Sequence, residues 1–127
     1  MSKIIGVIPI LATPFNKNGD INYKDYEKEC EFLINADVNG IGLALGSEIF
    51  KLDFKEKERL IKILYKSINQ SKKNINIIVN TGTSNMNETI RLSKQAQDFG
   101  ANALMVMPPN LITLNDSNHA ILRNNIW

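Results

Sequence analysis

Gly42-Leu43-Ala44-Leu45-Gly46-Ser47-Glu48-Ile49-Phe50-Lys51-Leu52, running on into Asp53-Phe54-Lys55-Glu56-Lys57-Glu58-Arg59, reads as a buried strand, a tight turn and an amphipathic helix. Gly46 permits a positive φ and a close approach of a ligand to the main chain. Ser47 adds a hydroxyl and Glu48 a carboxylate where the strand ends. Parallel α/β architectures gather their sites at the carboxyl ends of strands, so this turn is the first place for a small molecule to bind. The same residues also suit an ordinary strand-to-helix turn, in which Ser47 and Glu48 only bond local amides.

Outward from this stretch the same scheme recurs. On its N-terminal side, Ile4 to Thr13 is a near-continuous apolar run, expected as a strand buried on both faces. Lys17-Asn18-Gly19-Asp20 is a turn, and Asn22 caps a helix with Asp25 three residues on. Tyr23, Tyr26, Cys30 and Leu33 lie on one apolar stripe of that helix. Asp37 to Gly40 closes the first unit, and Ile41 to Leu45 is the next strand.

On the C-terminal side, Asp53 and Glu56 form a capping box, and Leu60, Ile61, Leu64 and Ile68 form the stripe of the second helix. A polar loop, Ser71 to Asn74, leads to a strand over Ile75 to Val79 and a turn over Asn80 to Ser84. Asn85 with Glu88 caps a third helix whose Leu92, Ala96 and Phe99 face inward, ended by Gly100. Ala103 to Met107 is a fourth strand, stopped by Pro108-Pro109. Asn115 or Asp116 starts a further helix. The caps at Asn22, Asp53 and Asn85 fall at nearly equal intervals, the mark of a βα repeat. The expectation is four parallel strands joined by right-handed crossovers.

The chain has 127 residues, 43% of them hydrophobic, enough for the core of one domain. Fifteen basic and 13 acidic groups leave a net charge of +2, spread along helix faces, which argues against a nucleic-acid patch. The lone Cys30 excludes an internal disulfide and suits a reducing cytoplasm; on the apolar stripe it reads as core. No apolar run is long enough for a membrane span, and the N-terminal run is not a secretory signal. One histidine, His119, and one cysteine leave no zinc cluster. Neither G-x-G-x-x-G after the first strand nor a P-loop occurs, which disfavours nucleotide folds of those kinds.

Thr13-Pro14-Phe15 with Gly19-Asp20, Ala44-Leu45-Gly46-Ser47-Glu48 with Leu52 and Glu58-Arg59, then Thr81-Gly82, Gly100-Ala101 and Pro108-Pro109, resemble in order the N-terminal half of the dihydrodipicolinate synthase / N-acetylneuraminate lyase family. The resemblance runs from about Ile5 to Pro109. It implies the N-terminal part of a (β/α)8 TIM barrel, residues 1–127 forming one partial domain of about four βα units that continues beyond Trp127. It implies a lyase or aldolase that condenses pyruvate with an aldehyde, or cleaves a 2-keto acid, through a Schiff base on a lysine.

In that family the turn is Gly-[Ser/Thr]-Thr-Gly-Glu and holds the pyruvate carboxylate. Here Glu48 matches its glutamate, and Ala44, Leu45, Gly46 and Ser47 occupy the other places, with Ser47 the nearby hydroxyl, displaced by one. The family often shows tyrosines after Pro109, one reaching a neighbouring subunit; this chain has Asn110 and Leu111. The Schiff-base lysine sits on the sixth strand and the proton-relay tyrosine on the fifth, so no residue of this chain is expected to be catalytic, Lys51 included.

The resulting expectation is a binding rim for a pyruvate-like 2-keto acid formed by Gly46 and Ser47, with Thr13 and Thr81 at the ends of the first and third strands. Thr13 and Thr81 also read as plain turn residues, and Glu48 reads better as an acceptor for loop amides than as a general base. No cofactor, metal, nucleic acid or membrane partner is expected. The full-length family implies a homo-oligomer, and this chain alone a dimer or an aggregating species, because strands cut from a barrel leave open edges. Two other readings stand beside the enzyme: a small α/β module that binds an anion, and a half-barrel interaction protein without catalysis.

Overall fold

The computed structural model describes residues 4–43, 52–83 and 85–106. Three helices alternate with three strands: α1 (Tyr23–Asn35), β1 (Gly40–Leu43), α2 (Phe54–Ser71), β2 (Asn76–Asn80), α3 (Met86–Asp98) and β3 (Ala103–Met105). The strands form one parallel sheet in the order β1-β2-β3. Gly40 is in register with Asn76 and Leu43 with Val79; Ile78 pairs with Ala103 and Asn80 with Met105.

The helices begin where the sequence predicts. Asn22 caps α1, its side chain accepting from the Asp25 amide at 3.1 Å. Asp53 and Glu56 complete the capping box of α2 with two reciprocal bonds of 2.8 Å. Asn85 caps α3 through the Glu88 amide. Each cap takes up an amide that the first helical turn leaves without an intrahelical partner. The buried faces follow the 3.6-residue period: Tyr26, Cys30 and Ile34 on α1; Leu60, Ile61, Leu64 and Ile68 on α2; Leu92 and Ala96 on α3. All of these but Leu92 meet Ile41, Leu43, Ile77 and Val79 of the sheet in one cluster.

The N-terminal run differs from its expectation. It is not a strand buried on both faces but an extended edge segment, joined to β1 by a single parallel bridge, Ile10 to Gly42. Gly42 donates to the Pro9 carbonyl, and Leu11 donates to the Gly42 carbonyl, both at 2.9 Å. Two local causes interrupt the ladder. Pro9 has no amide to donate, and Gly6 sits at φ +87°, a left-handed bend. Lying at the edge, the segment leaves Ile5 56% and Val7 67% exposed. The strand bounds also shift slightly: β1 starts at Gly40 and β2 runs from Asn76 to Asn80.

Two asparagines fix the amino ends of the strands in the same way. The Val7 amide donates to the Asn39 side-chain oxygen at 2.8 Å, and the Asn39 amide donates back to the Val7 carbonyl. The Ile77 amide donates to the Asn102 side-chain oxygen at 2.8 Å, and the Asn102 amide donates back to the Ile77 carbonyl. Each asparagine follows a helix end with a left-handed residue two places earlier, Asp37 at φ 54° and Gly100 at φ 88°. Lys73 adds a tie between units: its ammonium donates to the Ile34 carbonyl at the end of α1 and pairs with Asp37.

Candidate functional site

The side chains of a strand alternate between its two faces. Ile77 and Val79 join the cluster beneath the helices, so Thr81, next in that series, faces the helices too. Ile78 and Asn80 therefore point to the opposite face. That face also carries Gly40 and Gly42, over which the ends of Ile8 and Ile10 lie; a Cβ on Gly42 would stand 2.5 Å from the Ile10 Cδ1. This helix-free face corresponds to the inside of a barrel.

The carboxyl ends of the strands share one end of the sheet. There the edge segment runs from Leu11 to a half-buried Thr13, β1 ends at Leu43, and β2 ends at Asn80 before the loop 81–83. Gly46, Ser47, Glu48 and Lys51, the centre of the predicted rim, lie outside the described residues, as do Pro108-Pro109 and everything beyond, including His119. Thr13 and Thr81 both lie just past strand ends on this rim, flanking β1. Thr13 leads into a short hairpin closed by a Phe15–Ile21 bridge, and the Asn22 amide donates to the Pro14 carbonyl at 2.8 Å.

Thr81 is 2% exposed, and its hydroxyl shares a 2.8 Å hydrogen bond with the Ser93 hydroxyl on α3. Its amide donates to the Met105 carbonyl. Its contribution to the rim is thus the position of the loop rather than a free hydroxyl. The rest of that loop is equally tied. Gly82 donates its amide to the Asn80 side-chain oxygen at 2.9 Å, and Thr83 bonds Thr89 through its amide and its hydroxyl. Ser93 and Thr89 went unnoticed in the sequence. Their signal was there: two hydroxyl residues four apart on α3, stacked on one face. Asn80, read as a turn residue, is a polar side chain of the inner face at the carboxyl end of β2, with Asn76 in the same series at the amino end.

Between β1, β2, α2 and α3 lies a cleft lined by Leu43, Leu60, Ile61, Val79 and Leu92, with Lys57, Asn80 and Thr81 at its side. Its walls are mostly core side chains, and the Asn80 side-chain oxygen and the Thr81 hydroxyl there are already bonded to Gly82 and Ser93. Among the described residues no group of three or more His, Cys, Asp or Glu side chains is placed to hold a metal ion. No helix there is long and apolar enough to cross a membrane.

Cys30 is fully buried, and its thiol is pushed up from 9.0 to about 12, by burial first and by the nearby Glu29 second. Tyr26, beside it, is also raised by burial. A thiol held protonated is not a nucleophile. Both acids hold their protons more tightly folded than unfolded, so above pH 9.0 the unfolded chain releases protons that the folded one keeps. Stability is therefore expected to be full below that pH and to fall as pH climbs toward about 12, with a slope of up to about 1.4 kcal/mol per pH unit for each group. Urea unfolding across this range checks it. Cys30→Val should flatten the slope, and rapid modification of the native thiol by iodoacetamide at neutral pH would contradict the burial.

Residues 3–121 match the model of the dihydrodipicolinate synthetase family. A 4-hydroxy-tetrahydrodipicolinate synthase of Methanococcus aeolicus is 33% identical over 105 residues, covering 82% of this chain and 35% of that protein. The chain thus spans about a third of the length of the curated relatives it matches. Among solved structures, CdNal of Clostridium difficile in complex with mannosamine aligns with a TM-score of 0.83 at 26% identity, over 98% of this chain and 43% of that one. YagE of E. coli, in complex with pyruvate, aligns with a TM-score of 0.78 at 25% identity, over 95% and 40%. The parallel sheet with its outer helices is part of such an α/β barrel.

Proposed function

The chain belongs to the dihydrodipicolinate synthetase family, and from that premise we propose that it supplies one part of a pyruvate-dependent lyase or aldolase. Its share of the chemistry is binding. The rim at the carboxyl ends of the strands receives a 2-keto acid, with main-chain amides and the hydroxyl at Gly46-Ser47 taking the carboxylate. Thr13 borders the same pocket, and Thr81, anchored to Ser93, holds the neighbouring loop in place. The lysine amine that forms the Schiff base, and the tyrosine that relays the proton, come from strands beyond those present here. A cytoplasmic setting agrees with a buried, reduced Cys30.

The observation that carries this reading is the match of fold and sequence together over nearly the whole chain. Two experiments test it. The 127-residue chain mixed with pyruvate and borohydride should keep its mass; a pyruvyl adduct on any of its lysines would overturn the division of labour. A chimera in which the chain is continued, after residue 106, by the corresponding remainder of the M. aeolicus relative should form that adduct, and Ser47→Ala in the chimera should raise KM for pyruvate about 10-fold, as expected for loss of one hydrogen bond to a charged group. A folded chimera indifferent to pyruvate would refute the lyase assignment and favour an anion-binding module.

A further inference from the structure

We propose that Asn80 is a specificity residue of the pocket, its side-chain amide donating to the carboxylate of the 2-keto acid from the end of β2. This rests on the keto-acid reading of the rim and names a further residue for it. Asn80 is the last residue of β2. Val79 before it is in register with Leu43, the last residue of β1, and Asn80 itself with Met105 of β3. Asn80 thus stands one lane, about 4.8 Å, from the strand that leads toward the Gly46-Ser47 turn. The Gly82 amide fixes its orientation. That amide donates to the side-chain oxygen at 2.9 Å, so the Nδ2 end, with its two hydrogens, turns away from the loop.

Among the described residues Nδ2 meets no acceptor. Asn80 is 8% exposed, and no side-chain nitrogen or oxygen sealed from solvent there lacks a partner. Nδ2 is therefore neither bonded nor sealed, and the little of Asn80 that stays open includes this donor. Nearby on the inner face, Ile10, Ile78, Ala103 and Met105 are apolar, and its described residues carry no charge. Two N–H donors in such surroundings are satisfied by an oxygen acceptor, and most strongly by a charged one. A neutral amide also selects: it meets a carboxylate with hydrogens, and would turn those same hydrogens on an ammonium group. Ile78 and Met105, its apolar neighbours, suit the methyl end of a small 2-keto acid.

The test compares two substitutions in the chimera described above, reading the pyruvate concentration that half-saturates borohydride trapping of the lysine adduct. Asn80→Asp keeps an oxygen for the Gly82 amide but replaces both N–H donors with a second, charged oxygen. It should raise that concentration at least about 10-fold, and Asn80→Ala, which also releases Gly82, should raise it no further. Half-saturation unchanged in Asn80→Asp, or impaired by Asn80→Ala alone, would overturn the proposal and reduce Asn80 to an anchor for the loop. A second measurement needs neither substitution nor lysine. In the isotope-labelled 127-residue chain, the nuclear magnetic resonance signals of the Asn80 side-chain NH2 should move as pyruvate is added, more than those of the exposed Asn18. Stationary Asn80 signals beside a chimera that forms the adduct overturn the proposal and leave the lyase reading intact. Moving signals beside a folded chimera that forms no adduct support the carboxylate contact and remove the lyase reading instead.

Discussion

Leu64→Ala is expected to lower the stability of the domain by about 2–5 kcal/mol. Leu64 is fully buried at the centre of α2, in the cluster that joins α1 and α2 to Ile41, Leu43, Ile77 and Val79. Truncation removes apolar contact and leaves a void that helices fixed at their capped ends close poorly. Domains are held by only about 5–15 kcal/mol, and a three-stranded open sheet gains little from its exposed edges. The single change therefore removes a large share of the total. A urea titration followed by circular dichroism should show the midpoint falling sharply. Ile90→Ala on α3, at a side chain 46% exposed, should move it little. A midpoint as insensitive to Leu64 as to Ile90 would mean that α2 does not pack as described.

The second large effect concerns Asn102. Its side-chain oxygen is the acceptor for the Ile77 amide in a partly buried setting. Asn102→Ala leaves that amide without a partner, which costs about 1–3 kcal/mol. Asn39 makes the equivalent bond to Val7 in an exposed setting, where water can replace it, so Asn39→Ala should cost less. Native-state hydrogen exchange separates this from general destabilisation. The Ile77 amide should lose protection in Asn102→Ala well beyond the loss seen at Leu64, whereas a uniform loss would reduce Asn102 to an ordinary loop residue.

The helices were legible because their signals are local. Asn22, Asp53 with Glu56, and Asn85 each meet their amides within three residues, and the stripe Leu60, Ile61, Leu64 and Ile68 needs no partner to be recognised. The family resemblance was legible for a similar reason, since its pieces lie in order along one chain. The N-terminal segment was not. Its apolar run looks like a central strand, but burial on both faces is set by what lies beside it, and Pro9 and Gly6 break its ladder. Of the candidate site, Gly46 and Ser47 lie outside the described residues, and the comparison rests on Thr13 and Thr81. Thr81 stands at a strand end as expected, yet its hydroxyl goes to Ser93, a pairing that depends on which way β2 presents its faces. The roles of Asn39 and Asn102 stayed hidden because a side chain that copies a main-chain acceptor leaves no periodic trace.

Every strand in the sheet lies beside the one that precedes it in sequence. Among the described elements, contacts within the sheet are thus made between units synthesised one after another. As the polypeptide leaves the ribosome, each new helix and strand finds its template already in place. The newest strand is then one border of the sheet, opposite the residue 7–11 segment, and the pace of translation governs how soon each border forms.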